Sequence, residues 1–377
     1  MIYLDNAATT YPKPEEVYSF ADKFYRENGV YAGRGSYLAS QKVNNLIRET
    51  RELLLELFNA PNEYITIFSP SATIALNTII SGLVFHSNDN IYHSHFEHNA
   101  VLRPLEHITN NLKVNIFKLS ANKHDLCYNM DNILKQFTEN KPRAVIVSHA
   151  GNVLGNVAPI EKIFELAKNY GATTILDASQ TAGLLNIDLT KIKADFVVFA
   201  GHKTLYAPFG IAGLVMKKEI KLRPFIFGGT GKVSAEKVMP KFYPERLEAG
   251  SFDIYAIAGL NASLRWIKRI GINNIYKKEM DLLDFTISEL SSLNNIKLYL
   301  PKCDRIPIVS FNVKGYSPNE VDTILSQNNI AVRAGLHCAP KSHDFIGTSP
   351  SGTIRIGLNF FNKKEDSIVL KEIIKDL

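Results

Sequence analysis

ATTILDAS at 172–179 and ADFVVFAGHKT at 194–204 decide how this chain is read. Each begins as a short run of β-branched and aromatic residues and ends on residues with chemistry to offer. Asp177 and Gln180 follow the first run, His202 and Lys203 the second. Five more runs of this kind lie at 64–70, 89–94, 113–120, 143–150 and 210–217, all bounded by polar, Gly or Pro residues. Such runs read as buried strands. Amphipathic stretches at 41–58, 72–85, 98–111 and 159–170 separate them. Strand–helix alternation predicts an α/β fold, a mostly parallel sheet with helices on both faces. The texture changes after residue 218. A Gly-rich loop, FGGTGKV (227–233), and RLEAGS (246–251) precede a long helical pattern at 253–270. The remainder reads as helix, strand (306–313), helix (319–328), strand (331–335) and a last helix at 363–375. The expected organisation is a large domain, 15–250, and a smaller α+β unit made of 1–14 and 251–377.

The chain has 377 residues, 45% hydrophobic and 21% charged, with a formal charge of +6. That is enough to build a sizeable core. Its Lys and Arg are scattered, which argues against a nucleic-acid stripe or a polybasic membrane patch. No apolar run approaches the ~20 residues of a membrane-spanning helix, and MIYLDNAATTYPKP has no secretory pattern. Cys127, Cys303 and Cys338 stand far apart with no C-x-x-C pair, so neither a zinc site nor a disulfide framework is expected. The expected setting is reducing and cytoplasmic.

In open α/β sheets ligands gather where strands end and helices begin. Lys203, behind Gly-His at a strand end, is oddly placed for a surface charge; burial favours the neutral amine that a Schiff-base nucleophile needs. Asp177 at a neighbouring strand end can pair with a pyridinium nitrogen, although a helix cap is the commoner use of such an Asp. In SPSATIALNTII (69–80), Ser71, Ala72 and Thr73 enter a helix. They offer backbone N–H groups to an anion, or simply an N-cap. His98 in FEHNAVL can stack on an aromatic ring, and Asn152 in SHAGNVLGN is a neutral donor. RAGLHCAP (333–340) sets Cys338 in a constrained turn beside Arg333 and His337, positive neighbours that favour a thiolate. Arg355, inside the apolar run TIRIGLNFFN, needs an anion: a substrate carboxylate, or an internal Asp or Glu.

Taken in order, YLDNAATT, the hydroxyl-bearing turn, E-H-x-A, GNVLG, D-x-x-Q, F-x-G-H-K, R-x-E-A-G-S and R-x-G-x-H-C resemble the cysteine desulfurases among the class-V aminotransferase-like pyridoxal-phosphate (PLP) enzymes. The resemblance runs the length of the chain. It implies the fold type I of PLP-dependent transferases, with Lys203 as Schiff-base lysine and Asp177 as pyridinium partner. It also implies that Gln180 and Asn152 lie on the ring-hydroxyl side and His98 stacks on the ring, taking part in proton handling. Ala72, Thr73 and His202 are implied as phosphate ligands, with Ser251 supplied by the second subunit of a homodimer. Cys338 resembles the persulfide-forming cysteine of the branch with a compact active-site loop. Arg355, with Asn152 and Arg333, resembles the substrate-carboxylate site. The implied reaction converts L-cysteine to L-alanine and leaves sulfur for an acceptor protein or a thiol reductant. Selenocysteine lysis, another PLP reaction of the transaminase or epimerase type, or a weakly catalytic sulfur-carrier scaffold are the alternatives. Three positions depart from the pattern. Ala200 replaces a Ser or Thr, Leu336 replaces a His, and PSAT replaces the usual G-T-T turn.

Overall fold

The computed structural model describes residues 1–33 and 35–377. The chain opens with β1 (Ile2–Tyr3), α1 (Glu15–Asn28) and α2 (Leu38–Leu57). The large sheet is built from β2 (Tyr64–Ser69), β3 (Asn90–His93), β4 (Asn115–Lys118), β5 (Ala144–Ser148), β6 (Thr173–Asp177), β7 (Phe196–Ala200) and β8 (Ala212–Lys217). Helices α3 (Ala72–Gly82), α4 (Asn99–Leu112), α5 (Met130–Glu139) and α6 (Ile160–Asn169) lie between these strands in the chain. The spatial order is β2-β8-β7-β6-β5-β3-β4. β7, β6, β5, β3 and β4 pair in parallel, and β8 runs against both β7 and β2.

Alternation along the strands explains why they are apolar on both faces. Val145, Val147, Val197 and Phe199 belong to one core, packed under α2, α5 and α6. Their chain neighbours Ala144, Ile146, Phe196 and Val198 belong to a second core, under α3 and α4. A sheet covered on both sides has no face left for polar residues, so its strands read as continuous apolar runs.

The rest of the chain forms α7 (Ile254–Ile270), α8 (Ile272–Ser291), β9 (Ile296–Tyr299), β10 (Ile308–Val313), α9 (Pro318–Gln327), β11 (Ile330–Ala331), β12 (Arg333–Gly335), α10 (Pro340–Ile346), β13 (Thr353–Gly357) and α11 (Lys364–Lys375). A four-stranded antiparallel sheet, β12-β13-β10-β9, has its own core of Val309, Phe311, Ile354, Ile356 and the inner faces of α8, α9 and α11. β1 pairs in parallel with β11, and Asp5 bridges to Gly357, so the N-terminus is tied to the smaller unit. The run read as one strand at 331–335 is split: β11 faces β1, and β12 joins β13.

Helix α7 packs on α1 and α2, and its buried residues belong to the core of the large sheet. The expected division after residue 250 leaves this helix in the smaller unit; we place the boundary after it, because burial joins it to the larger core.

Gly213 in β8 sits where a Cβ would lie 2.3 Å from the backbone carbonyl of Ile67 and 2.8 Å from the Phe199 ring. A carbonyl held in a strand cannot move aside. Gly213→Ala is therefore expected to destabilise the protein by about 1–3 kcal/mol, read as a lower urea midpoint.

Candidate active site

The strand ends of the large sheet open on one cavity of about 260 Å³. Ala72, Thr73, His98, Asn152, Asp177, Gln180, His202, Lys203, Arg333, Cys338 and Arg355 all line it. Ser251 does not; it faces two other cavities beside Glu248 and Phe252.

Each wall has a local cause. α3 begins at Ala72 because Ser71 caps it, its hydroxyl accepting from Ile74 N at 3.2 Å. The capping use of Ser71 is thus real, and it leaves the first-turn N–H groups of Ala72 and Thr73 without intrahelical acceptors. α4 begins behind His98, whose Nδ1 accepts from Ala100 N at 3.0 Å. That bond makes Nδ1 an acceptor and leaves the proton on Nε2, a neutral ring. Burial first, then Lys203, hold His98 down to about 4, with Asp177 opposing. His202 is held down to about 4 by burial and then by Lys203 and Lys13. Its ring stacks on Phe209 at 4.6 Å, and its buried Nδ1 has no partner among the described residues.

Asp177 is fixed from behind: Oδ1 accepts from Ser179 N at 3.0 Å and from the Ser179 hydroxyl. Gln180 donates Nε2 to Ala7 O at 2.8 Å, which ties the N-terminal segment to the cavity wall. Lys203 Nζ has no ion pair or hydrogen bond among the described residues. Burial lowers its ammonium to about 8, with Asp177 pulling the other way and Arg355 and Arg333 adding to the fall. Near neutral pH a usable fraction of this amine is therefore unprotonated.

The smaller unit supplies the far wall. Arg355 on β13 donates Nη1 to the Asn152 carbonyl at 3.0 Å and Nη2 to Asp5 Oδ1 at 2.8 Å, while its buried Nε has no acceptor among the described residues. Arg333 reaches the same carboxylate at 3.6 Å. Of the two arrangements expected for Arg355, the structure shows the internal ion pair, with Asp5. Cys338 is exposed, and its backbone is pinned: its carbonyl accepts from Asn99 N at 2.7 Å, and the preceding carbonyl, of His337, from Asn152 Nδ2 at 2.7 Å. Gly335, His337 and Cys338 all have positive φ, at 102°, 49° and 55°. Two consecutive non-glycine residues in that region persist only where surrounding contacts over-determine them.

One expected contribution is corrected. His337 is not a cationic neighbour of the thiol. It is buried, burial followed by Arg355 and His343 drives it down to about 2, and its Nε2 lies 3.1 Å from the Thr353 hydroxyl. The positive charge within reach of Cys338 comes from Lys203 and Arg355, whose titrations both respond to the thiolate.

Sequence reasoning missed three supporting residues. Asp5 was visible only as part of YLDNAATT, Ser179 only as a spacer in D-x-x-Q, and Glu97 only as the residue before His98. Glu97 is fully buried and joins the ends of β3 and β5, accepting from the Ser94 hydroxyl at 2.6 Å and the Ser148 hydroxyl at 2.7 Å.

The model of the class-V aminotransferases matches residues 2–369. The chain belongs to that family. It is 32% identical over its whole length to 95% of a probable cysteine desulfurase of Pyrococcus abyssi, and 31% identical over its whole length to 92% of one from Borreliella burgdorferi. Among solved structures, the apo cysteine desulfurase of Thermococcus onnurineus NA1 superposes with a TM-score of 0.92 at 29% identity, over 100% of this chain and 94% of that one. The cysteine desulfurase CsdA of Escherichia coli gives 0.88 at 26% identity, over 99% and 94%. The α/β fold of this family, with its mostly parallel central sheet, is thereby established for the chain, as is its standing as an enzyme. No helix among the described residues is long and apolar enough to cross a membrane.

Seven of the ten histidines are depressed, all but one to about 4: His93, His95, His98, His149, His202 and His343, with His337 at about 2. Below pH 6.5 the unfolded chain binds protons that these buried rings refuse, so stability falls with pH. Two buried acids, Glu97 raised to about 7 and Glu279 raised to about 8, work the other way. Each proton difference is worth at most about 1.4 kcal/mol per pH unit, and seven histidines outweigh two carboxyls. The urea midpoint of the cofactor-free protein is expected to drop steadily from pH 6.5 to pH 4.

Proposed function

We propose that the chain is a PLP-dependent cysteine desulfurase that converts L-cysteine to L-alanine and stores the sulfur on Cys338 as a persulfide. The observation that carries this reading is the convergence on one cavity of a half-buried lysine without an ion pair or hydrogen bond among the described residues, a fixed carboxylate and an exposed cysteine.

The residues suit the cofactor. Three residues that line the cavity carry buried polar atoms with no partner among the described residues: Nδ1 of His202, Oδ1 of Asn152 and Nε of Arg355. The free N–H groups of Ala72 and Thr73, the Thr73 hydroxyl and His202 would hold the phosphate. Asp177, with Oδ1 taken by Ser179, would present its other oxygen to a ring N–H. The neutral His98 ring would form the stacking wall, and Gln180 and Asn152 would face the ring hydroxyl. PLP bound there supplies an electron sink for bonds at the substrate α-carbon.

The chain's own groups do the rest. Arg355, assisted by Arg333 and Asn152, holds the substrate carboxylate through donors that Asp5 leaves open. Lys203, about 8 in its titration, takes and returns the α-proton. The Cys338 thiolate attacks the substrate sulfur: an S–S bond forms, the C–S bond breaks, and its electron pair stays with the carbon skeleton, which is protonated and leaves as alanine. An exposed Cys338 can pass the sulfur to an acceptor protein or a thiol in a reducing, cytoplasmic setting.

Two experiments test this reading. Borohydride reduction and peptide mapping should find the cofactor on Lys203; a label on another lysine overturns the assignment. Cys338→Ser should keep the cofactor's visible band and its response to cysteine, yet lose sulfide and alanine production by orders of magnitude. Undiminished release would make Cys338 structural and favour another class-V PLP reaction.

The position of Ser251 supports a homodimer with shared sites, since within its own chain it lies outside the cavity. The segment before it exposes Phe225, Ile226, Phe227, Val238 and Phe242, an apolar stretch suited to a second copy. Sedimentation should give a dimer, and Ser251→Ala should weaken cofactor retention. A monomer that holds PLP at full occupancy contradicts the shared site.

A further inference from the structure

Cys127 and Cys303 lie 176 positions apart in the chain, and nothing in their spacing joins them. The fold brings both to one turn. Cys127 Sγ donates to the Asp125 carbonyl at 3.2 Å, Cys303 Sγ lies 3.9 Å from the Leu126 carbonyl, and Lys302 N donates to Asp125 O at 2.9 Å. Both sulfurs therefore sit against adjacent carbonyls of the same Asp125–Leu126 turn, and the Cys303 titration responds to the Cys127 thiol. Both residues are free thiols and half-buried.

From this pairing we infer that Cys127 and Cys303 form an oxidisable dithiol, a modification site for peroxide-class two-electron oxidants that closes to an intramolecular disulfide. The steps balance. Peroxide oxidises the Cys127 sulfur to a sulfenic acid and is itself reduced to water. The Cys303 thiol then displaces the hydroxyl, its proton leaving with that group as a second water, and the S–S bond forms. Cys303 suits the second, resolving role. Burial, then the Cys127 thiol, push its thiol up to about 12, so it remains protonated and unattacked until the neighbouring sulfur turns electrophilic.

The site lies behind the proposed reactive turn. Leu126 packs in one small core with Phe96, Val153, Leu154, and Ala339 and Phe345, which follow Cys338. Closing the disulfide would covalently join the 122–127 turn of the large unit to the segment leading into β10. That is one of the seams on which the turn at Cys338 rests.

The experiment uses the full chain carrying Cys338→Ser, so that only these two thiols remain. Mild hydrogen peroxide should reduce the thiols titratable after unfolding from two to none. Dithiothreitol should return both. Non-reducing peptide mapping should show a Cys127–Cys303 linked pair, and in a further Cys127→Ser variant the Cys303 thiol should survive the same treatment. The same linked pair should appear in the unsubstituted protein. Sulfenic or sulfinic acid on Cys127 with Cys303 left free overturns the inference, as does a disulfide between two chains. So does equal loss of Cys303 in the Cys127→Ser variant. None of these readouts depends on desulfurase activity, so the inference and the proposed function fail separately.

Discussion

A single buried guanidinium holds the two units of this protein in register. Arg355 belongs to β13 of the small sheet, yet its acceptors are the Asn152 carbonyl after β5 and the Asp5 carboxylate of the N-terminal segment. A buried cation without acceptors costs several kcal/mol, so all three segments must arrive together. Asn152 passes the constraint on, since its side chain donates to His337 O next to Cys338. Gln180 does the same for the N-terminal segment by holding Ala7 O. The cavity is where a junction between units has been built from polar groups whose remaining donors face inwards.

Electrostatics within that junction follow from burial more than from charge pairs. The ammonium of Lys203 and the rings of His98, His202 and His337 share one low-dielectric site, and burial is the largest cause of each shift. At neutral pH the three rings are neutral, the two arginines are cationic with Asp5 partly offsetting both, and Lys203, at about 8, is mostly cationic with a minor neutral fraction. The site can therefore receive an anion at Arg355 and Arg333 while Lys203 stays a candidate base.

Much of this was legible in the chain. The strands of the doubly covered sheet are apolar throughout because both faces are buried, and their chemistry sits where the apolar run stops, as at Asp177 and Lys203. What could not be read is what depends on partners distant in sequence. Strand β9 is only four residues long and half-exposed, so its alternation, Ile296 and Leu298 toward the core, is too short to stand out. Helix α1 lacks a side-chain cap, and α10, at seven residues, is too short for a period to show. The ionic role of Asp5 needs Arg355, 350 residues away. His337 misled for the same reason: adjacent in sequence to Cys338, it looked like a cation, but burial, with Arg355 and His343 beside it, keeps it neutral.

The turn at Cys338 brings these strands of argument together. A thiol that must meet a substrate inside a cavity and an acceptor outside it can be carried on a long mobile loop or fixed at the rim. Here it is fixed. β12 ends at Gly335, α10 starts at Pro340, and the residues between are bonded to Asn99 and Asn152. The thiol is nevertheless exposed. Left-handed backbone at His337 and Cys338 stores about 1–3 kcal/mol of strain per residue, which a mobile loop would relax; the two carbonyl bonds and the buried His337 ring prevent it. The sulfur is thus presented at the cavity's edge at a conformational cost borne by the fold.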